Sequence, residues 1–362
     1  MSVRAYLLVS LTACSPNVDV VDGGGNPGGS GAGAWTSDGA GGAGASDGTG
    51  GASPTTGCTP GMEPETLATG LWCYFAQGLE ASDGYVYFDP GDSNLARVPR
   101  DGGAVEMLVE GVLRFVDAGP ELLLVRRDAD CDDACNRVVL FDKATQTESV
   151  VASGLGYVSA LGRADAGIYV FHATDFVDGL SVYALDLFHF GMPAERLLEG
   201  EREVESMTVS SGAVHFIAFD DGGDWRMRRL DLSTLEVEAL ESGEAWIDSF
   251  AHGNHVVWAT VNDGIWRAPV DGGPSEPFDP GFAFAFAAQS PDSDDLYYVD
   301  GVTMPDMRVA RISSGGGRAA TVVTGVELAS ALAVDDSCIY YIEQGDDCVD
   351  GGSLASLKRA PK

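Results

Sequence analysis

Residues 64 to 70 read PETLATG, and six later segments share the pattern: EMLVEG ending at Gly111, SVVASG at Gly154, ERLLEG at Gly200, EALESG at Gly243, EPFDPG at Gly281 and ATVVTG at Gly325. Each carries a bulky apolar residue three before the glycine. Glu stands five before it at Glu65, Glu106, Glu195, Glu238 and Glu276. Successive glycines are 41, 43, 46, 43, 38 and 44 residues apart. A period of that size means one supersecondary unit per repeat, so the chain is an array and not a pair of globular domains.

Every unit holds a second apolar run: YVYF from 85, LLLV from 122, IYVF from 168, VHFIAF from 214, VVWA from 256, LYYV from 296 and IYYI from 339. Consecutive apolar, aromatic and β-branched residues suit a strand covered on both faces. A third segment, as in LARVPRDGG from 95 and IWRAPVDGG from 265, ends in Asp-Gly and turns back into the Glu-x-Leu strand. With a weaker strand after each glycine, each unit has four strands, A (inner) to D (outer). The expected fold is all-β, a β-propeller of seven four-stranded blades. The chain opens on a lone D strand and ends on SLASLKRAPK, which reads as a C strand. Pairing the two closes the ring and removes two exposed edges.

The runs IWRAPVDGG and LYYV…VARISSGGG resemble the YWTD and TolB-type propellers, which pair an aromatic strand with an Arg-bearing one. The resemblance covers about 300 residues. It implies a six-bladed ring as the alternative count, six being usual in those families. It also implies an enzymatic alternative, a hydrolase or lyase with a pocket at the central channel.

At the N-terminus a short apolar run reaches Leu11, Thr12, Ala13 and Cys14. Residues 1–13 read as a signal peptide. LTAC resembles the lipobox of bacterial lipoproteins, which implies a lipid on Cys14 and, with Ser15 next, an outer-membrane lipoprotein where the host has two membranes. Residues 14–57 are rich in Gly, Ala and Ser and read as a disordered tether, with a reach on the order of 35 Å. Residues 58–362 are then the propeller domain. Asp and Glu number 55 against 21 Lys and Arg, a formal charge of −34. That balance repels phosphate backbones and excludes nucleic acid as a partner. A monomer is expected, with the membrane reached through the anchor alone.

Six cysteines remain after Cys14. Cys131 and Cys135 share one loop and are expected to pair. Sequence proximity joins Cys58 to Cys73 and Cys338 to Cys348, whereas strand direction places Cys58 with Cys338 and Cys73 with Cys348, stapling the closing blade. Among the histidines only His172, just after a B strand, is expected at the B–C rim. His189, His215, His252 and His255 read as packing or turn residues. Outside the glycine-rich tether no GxSxG, HExxH or phosphate-binding glycine loop occurs in the sequence.

All seven B–C loops contain Asp: Asp89 and Asp92; Asp128, Asp130, Asp132 and Asp133; Asp175 and Asp178; Asp220, Asp221 and Asp224; Asp263; Asp300 and Asp306; Asp346, Asp347 and Asp350. Such loops emerge on one face. An acidic rim for a cation or a cationic protein partner and ordinary turn chemistry are both open. Asp128, Asp130 and Asp132 alternate as in an EF-hand loop, so calcium is the one cofactor expected. Val139 stands at its twelfth position, where such a loop supplies a bidentate Glu. The reading that results is a lipid-anchored extracytoplasmic binding or scaffolding module. A hydrolase or lyase and a purely structural envelope protein are the alternatives.

Overall fold

In the computed structural model, the described residues are 57–362 apart from 72–77, 92, 129–134, 191, 211, 220–223, 241–244, 253, 261–263, 280–282, 290–294, 301–306, 328 and 345–354. The signal peptide, Cys14 and the tether lie outside them. So do Cys73, Cys131 and Cys348.

The first strand, β1 (Glu65–Leu71), joins no sheet with the strands that follow it in sequence. β2 (Leu79–Ser82), β3 (Tyr85–Phe88), β4 (Asn94–Pro99) and β5 (Glu106–Glu110) then form an antiparallel sheet, and β6 (Val112–Asp117), β7 (Glu121–Arg127), β8 (Asn136–Asp142) and β9 (Thr147–Leu155) the next. β10 (Val158–Ala164), β11 (Gly167–Val177), β12 (Leu180–Phe188), β13 (Glu195–Ser210), β14 (Ala213–Phe219), β15 (Trp225–Asp231) and β16 (Val237–Ala239) are hydrogen-bonded in sequence order. Two further sheets hold β17 (Ala245–His252), β18 (His255–Thr260), β19 (Gly264–Pro269) and β20 (Glu276–Asp279), then β21 (Ala283–Gln289), β22 (Leu296–Asp300), β23 (Met307–Ile312) and β24 (Ala320–Val326). The last is β25 (Ala329–Val334), β26 (Cys338–Gln344) and β27 (Ala355–Pro361), completed on its outer edge by β1.

The sequence predicts seven separate four-stranded sheets. Among the described residues there are five, plus one sheet of seven strands. The difference lies in β13. Its first half pairs with β12 from Glu195 to Arg202, and its second half pairs with β14 from Arg202 to Ser210. An outer strand thus runs into the following inner strand without a loop, and the ladder carries through the corner.

The ring closes as the lone PETLATG strand requires. Glu65 stands opposite Arg359 and Leu71 opposite Ala355. Inner strand β2 touches β25, so first and last sheets are neighbours. A disulfide joins Cys58 to Cys338 across 280 positions, with Cα atoms 5.3 Å apart, and Cys135 is also in a disulfide.

Burial explains the consecutive apolar runs. In β3, Val86 and Phe88 pack with Tyr340 and Leu357 of the closing sheet, while Tyr87 between them packs with Leu122 and Phe141 of the following sheet. All three are fully buried, and each such side chain stabilises the fold by roughly 1.5–3 kcal/mol. The recurring glycine has a backbone cause. Gly70, Gly111, Gly154, Gly200 and Gly325 take φ between 66° and 87° at the corner from an outer strand to the next inner one. A Cβ at Gly111 would meet nothing within 4 Å, so conformation and not space selects glycine.

The recurring Glu has a partner on the Arg-bearing strand. Arg97 binds Glu106 at 2.8 Å, Arg229 binds Glu238 at 3.3 Å, Arg267 binds Glu276 at 2.6 Å and Arg359 binds Glu65 at 2.7 Å. Three of these arginines also donate to a backbone carbonyl of the following unit: Arg229 to Val270, Arg267 to Ser314 and Arg359 to Arg100. One guanidinium fork thereby ties two strands of its own unit and clasps the next.

Candidate functional site

The B–C loop face was the sequence's first candidate, and most of its described carboxylates have local duties. Asp89 accepts from the backbone N–H of Gly91 at 2.8 Å. Asp128 is buried; its carboxylate accepts the Gly154 N–H at 2.9 Å, holding the β9 corner, and its own N–H donates to Cys135 O at 2.8 Å. Asp224 pairs with Arg226 at 3.2 Å. Asp300 is not in a loop: it ends β22, buried and gripped by Arg308. Asp175 likewise lies within β11 and not in a loop. Asp92, Asp130, Asp132, Asp133, Asp220, Asp221, Asp263, Asp306, Asp346, Asp347 and Asp350 lie outside the described residues. Among the described residues no group of three or more His, Cys, Asp or Glu is placed to hold a metal ion, and two of the three carboxylates of the candidate calcium loop fall outside them.

His172 does not face solvent at the rim. It lies inside β11, buried, with Nε2 2.9 Å from Asp186 of β12, and Asp186 is in turn gripped by Arg196 of β13. Strand continuation carries it inward, because β11 runs five residues past it. Burial, the largest single influence, acts to raise the Asp186 carboxyl, but hydrogen bonds with Arg196 and His172 outweigh it and hold the carboxyl below the usual range. His215 is fully buried in β14, and desolvation, with Arg229 nearby, lowers it to about 4. It is neutral at physiological pH.

The loop face instead presents a hairpin that the sequence reading cut short. β11 and β12 extend to Val177 and Leu180 and turn through Asp178 and Gly179, both at positive φ (54° and 84°). Two such residues make the tight turn whose twist matches paired strands. Residues 174–179 are all exposed. Phe176 is 68% exposed and Val177 38%; Tyr157, in the corner before β10, is 54% exposed. Tyr157 is fixed to the hairpin base, its carbonyl accepting from Ala173 N–H at 2.8 Å. Beside it Glu203, at φ 39°, accepts the Ser181 N–H at 2.6 Å. Burial first, then the charge of Glu203, raises the Tyr183 phenol, with Tyr157 and Glu205 adding to the effect. The signal for this hairpin was in the sequence: Asp178-Gly179 follows an unbroken strand-like run.

On the opposite face, the Lys143 ammonium is buried between two sheets. It donates to Ser82 Oγ at 2.8 Å, pairs with Asp83 at 3.2 Å and Asp117 at 2.7 Å, and lies 5.6 Å from the Tyr87 ring centre. Glu80, partly buried beside Asp117, is raised to about 7, by desolvation first and then by Asp117's charge, with Lys143 opposing. A lone Glu in LEAS carried no such signal.

No protein-family model and no curated protein matches the chain. Solved structures do. A puromycin-hydrolysing peptidase of Mycobacterium tuberculosis aligns at 13% identity and TM-score 0.59, over 82% of this chain and 54% of that one. The WD40 repeats of RRP9 align at 10% identity and TM-score 0.58, over 84% of this chain and 99% of that one. The fold is a β-propeller. TolB from Acinetobacter baumannii aligns at 11% identity over 78% of each chain, with a TM-score of 0.45. The propeller spans about half the length of the puromycin hydrolases it matches. At these identities the likeness is one of fold, and chemistry must be argued from the propeller's own side chains. Among its described residues no helix is long and apolar enough to cross a membrane.

Proposed function

We propose that this protein is an exported β-propeller, lipid-anchored through Cys14 on the tether of residues 14–57, that works as a binding or scaffolding module. The observation that carries the reading is the β11–β12 hairpin, which exposes Phe176 and Val177 on the loop face, whereas most large apolar side chains among the described residues are internal. A strand end that displays an aromatic side chain to solvent beside a tight turn gives up burial energy in the isolated protein, and a partner would recover it. Photo-crosslinking from position 157 of the full chain in its native envelope tests this. A discrete position-dependent adduct is expected, and none would overturn the reading.

On this reading the ring has seven blades. The seven-stranded sheet is read as two blades that share β13. What supports this is packing: a buried cluster joins Tyr169, Phe171 and Leu185 of β11 and β12 to Val214, Phe216 and Leu230 of β14 and β15, face against face, as neighbouring blades pack. The calcium site at Asp128, Asp130 and Asp132 belongs to the same proposal. Calorimetry on the protein and on a variant with Asp130→Asn and Asp132→Asn tests it, and equal, near-zero heats would remove calcium.

A further inference from the structure

We propose that the β11–β12 hairpin tip, with Tyr157 at its base, is the docking point for an extended cationic segment of a partner protein, one that carries an apolar side chain between its Lys or Arg residues. This rests on the binding-module reading above and names the partner's chemistry.

The side chains argue for that occupant together. Phe176 gives an exposed ring fixed to the sheet by backbone pairing opposite Ser181, with Val177 on the other face of the strand and the Tyr157 carbonyl on Ala173 at the hairpin base. Little chain entropy is lost when a partner meets a surface already ordered in this way. Exposed Asp175 and Asp178 bracket Phe176 and Val177 in sequence, and Glu203 stands at the foot of the hairpin. An exposed aromatic ring whose sequence neighbours carry carboxylates favours an ammonium or guanidinium group, through ring quadrupole and charge at once. The net charge of −34 steers such a segment in from a distance and repels anionic surfaces.

The test titrates the full chain against a fluorescein-labelled peptide of repeated Lys-Phe-Lys-Ser, read by anisotropy at low and at physiological salt. A Glu-Phe-Glu-Ser peptide and phosphatidylcholine vesicles are titrated alongside. Phe176→Ser is exposed in the folded protein, so its melting midpoint should match the parent's, and its affinity for the cationic peptide should fall by about tenfold or more. Asp175→Asn with Asp178→Asn should flatten the salt dependence. Equal affinity of Phe176→Ser and parent overturns the hairpin assignment and leaves a cationic partner elsewhere on the acidic face. No binding by the parent at low salt overturns both. Vesicle binding that Phe176→Ser abolishes, with no preference for the cationic peptide, overturns the peptide in favour of a lipid surface.

Discussion

Arg359 and Glu65 stand 294 positions apart in the chain and 2.7 Å apart in the ring. Their pair repeats at the chain's two ends what Arg97–Glu106, Arg229–Glu238 and Arg267–Glu276 do within single units. PETLATG is therefore the outer strand of the last sheet, delivered from the opposite terminus.

Deleting residues 1–57 should leave the melting midpoint nearly unchanged. Deleting through Gly70 should bare the β27 edge, lower the midpoint and promote aggregation in light scattering. Equal stability of the two truncations would contradict closure by β1.

Replacing Cys58 and Cys338 with Ala releases a link across 280 positions. In the chain-entropy model the loss is about 5 kcal/mol. Denaturant unfolding of the oxidised parent and the double variant measures the difference, and a shift under about 1 kcal/mol would show that β1 holds the ring without the link.

Glu80 and His215 give opposed pH dependences. Glu80 is raised from 4.5 to about 7 in the fold, so its contribution is full below pH 4.5 and is lost as pH rises to 7. His215 is lowered from 6.5 to about 4, so its contribution is present above pH 6.5 and is lost as pH falls towards 4. Glu80→Gln should gain about 1–3 kcal/mol over the parent above pH 7 and keep only the acid-side decline. Urea midpoints from pH 4 to 8.5 would show it, and parallel profiles would refute the assignment.

Lys143→Met leaves Asp117 beside Glu80 with its buried cation gone. A loss of about 3 kcal/mol is expected, together with a Glu80 that titrates higher still, since Lys143 is the charge opposing its rise. Unchanged stability by chemical denaturation would mean that water takes over the ammonium's place.

Two glycines should fail for different reasons. Gly111→Ala meets no atom and must only hold φ at 72°, a cost of about 1–2 kcal/mol. Gly156→Ala would set a Cβ 2.0 Å from the Ala173 carbonyl oxygen, a backbone clash costing about 3 kcal/mol that also shifts the base of the β11–β12 hairpin. Equal midpoints for the two variants would refute the distinction.

The sequence by itself determined the repeat, the four-strand unit and the closure. All three are written in local chemistry: a glycine where the backbone must turn left-handed, consecutive apolar residues where both faces are covered, a Glu where an Arg on the neighbouring strand awaits it. Tertiary structure decided the rest. Nothing local marks where β13 runs through its corner, because continuity there depends on ladders with two different neighbours. Nothing in RDAD or LYYVDG says that Asp128 will hold a glycine N–H and Asp300 an arginine, because their partners, Gly154 and Arg308, come from other strands. His172 reads as a rim residue until β11 proves longer than its apolar run and brings it against Asp186, which Arg196 holds in place. The exposure of Phe176 is decided in the same way: exposure is a property of what fails to pack against a side chain, and that is known only when every neighbour has been placed.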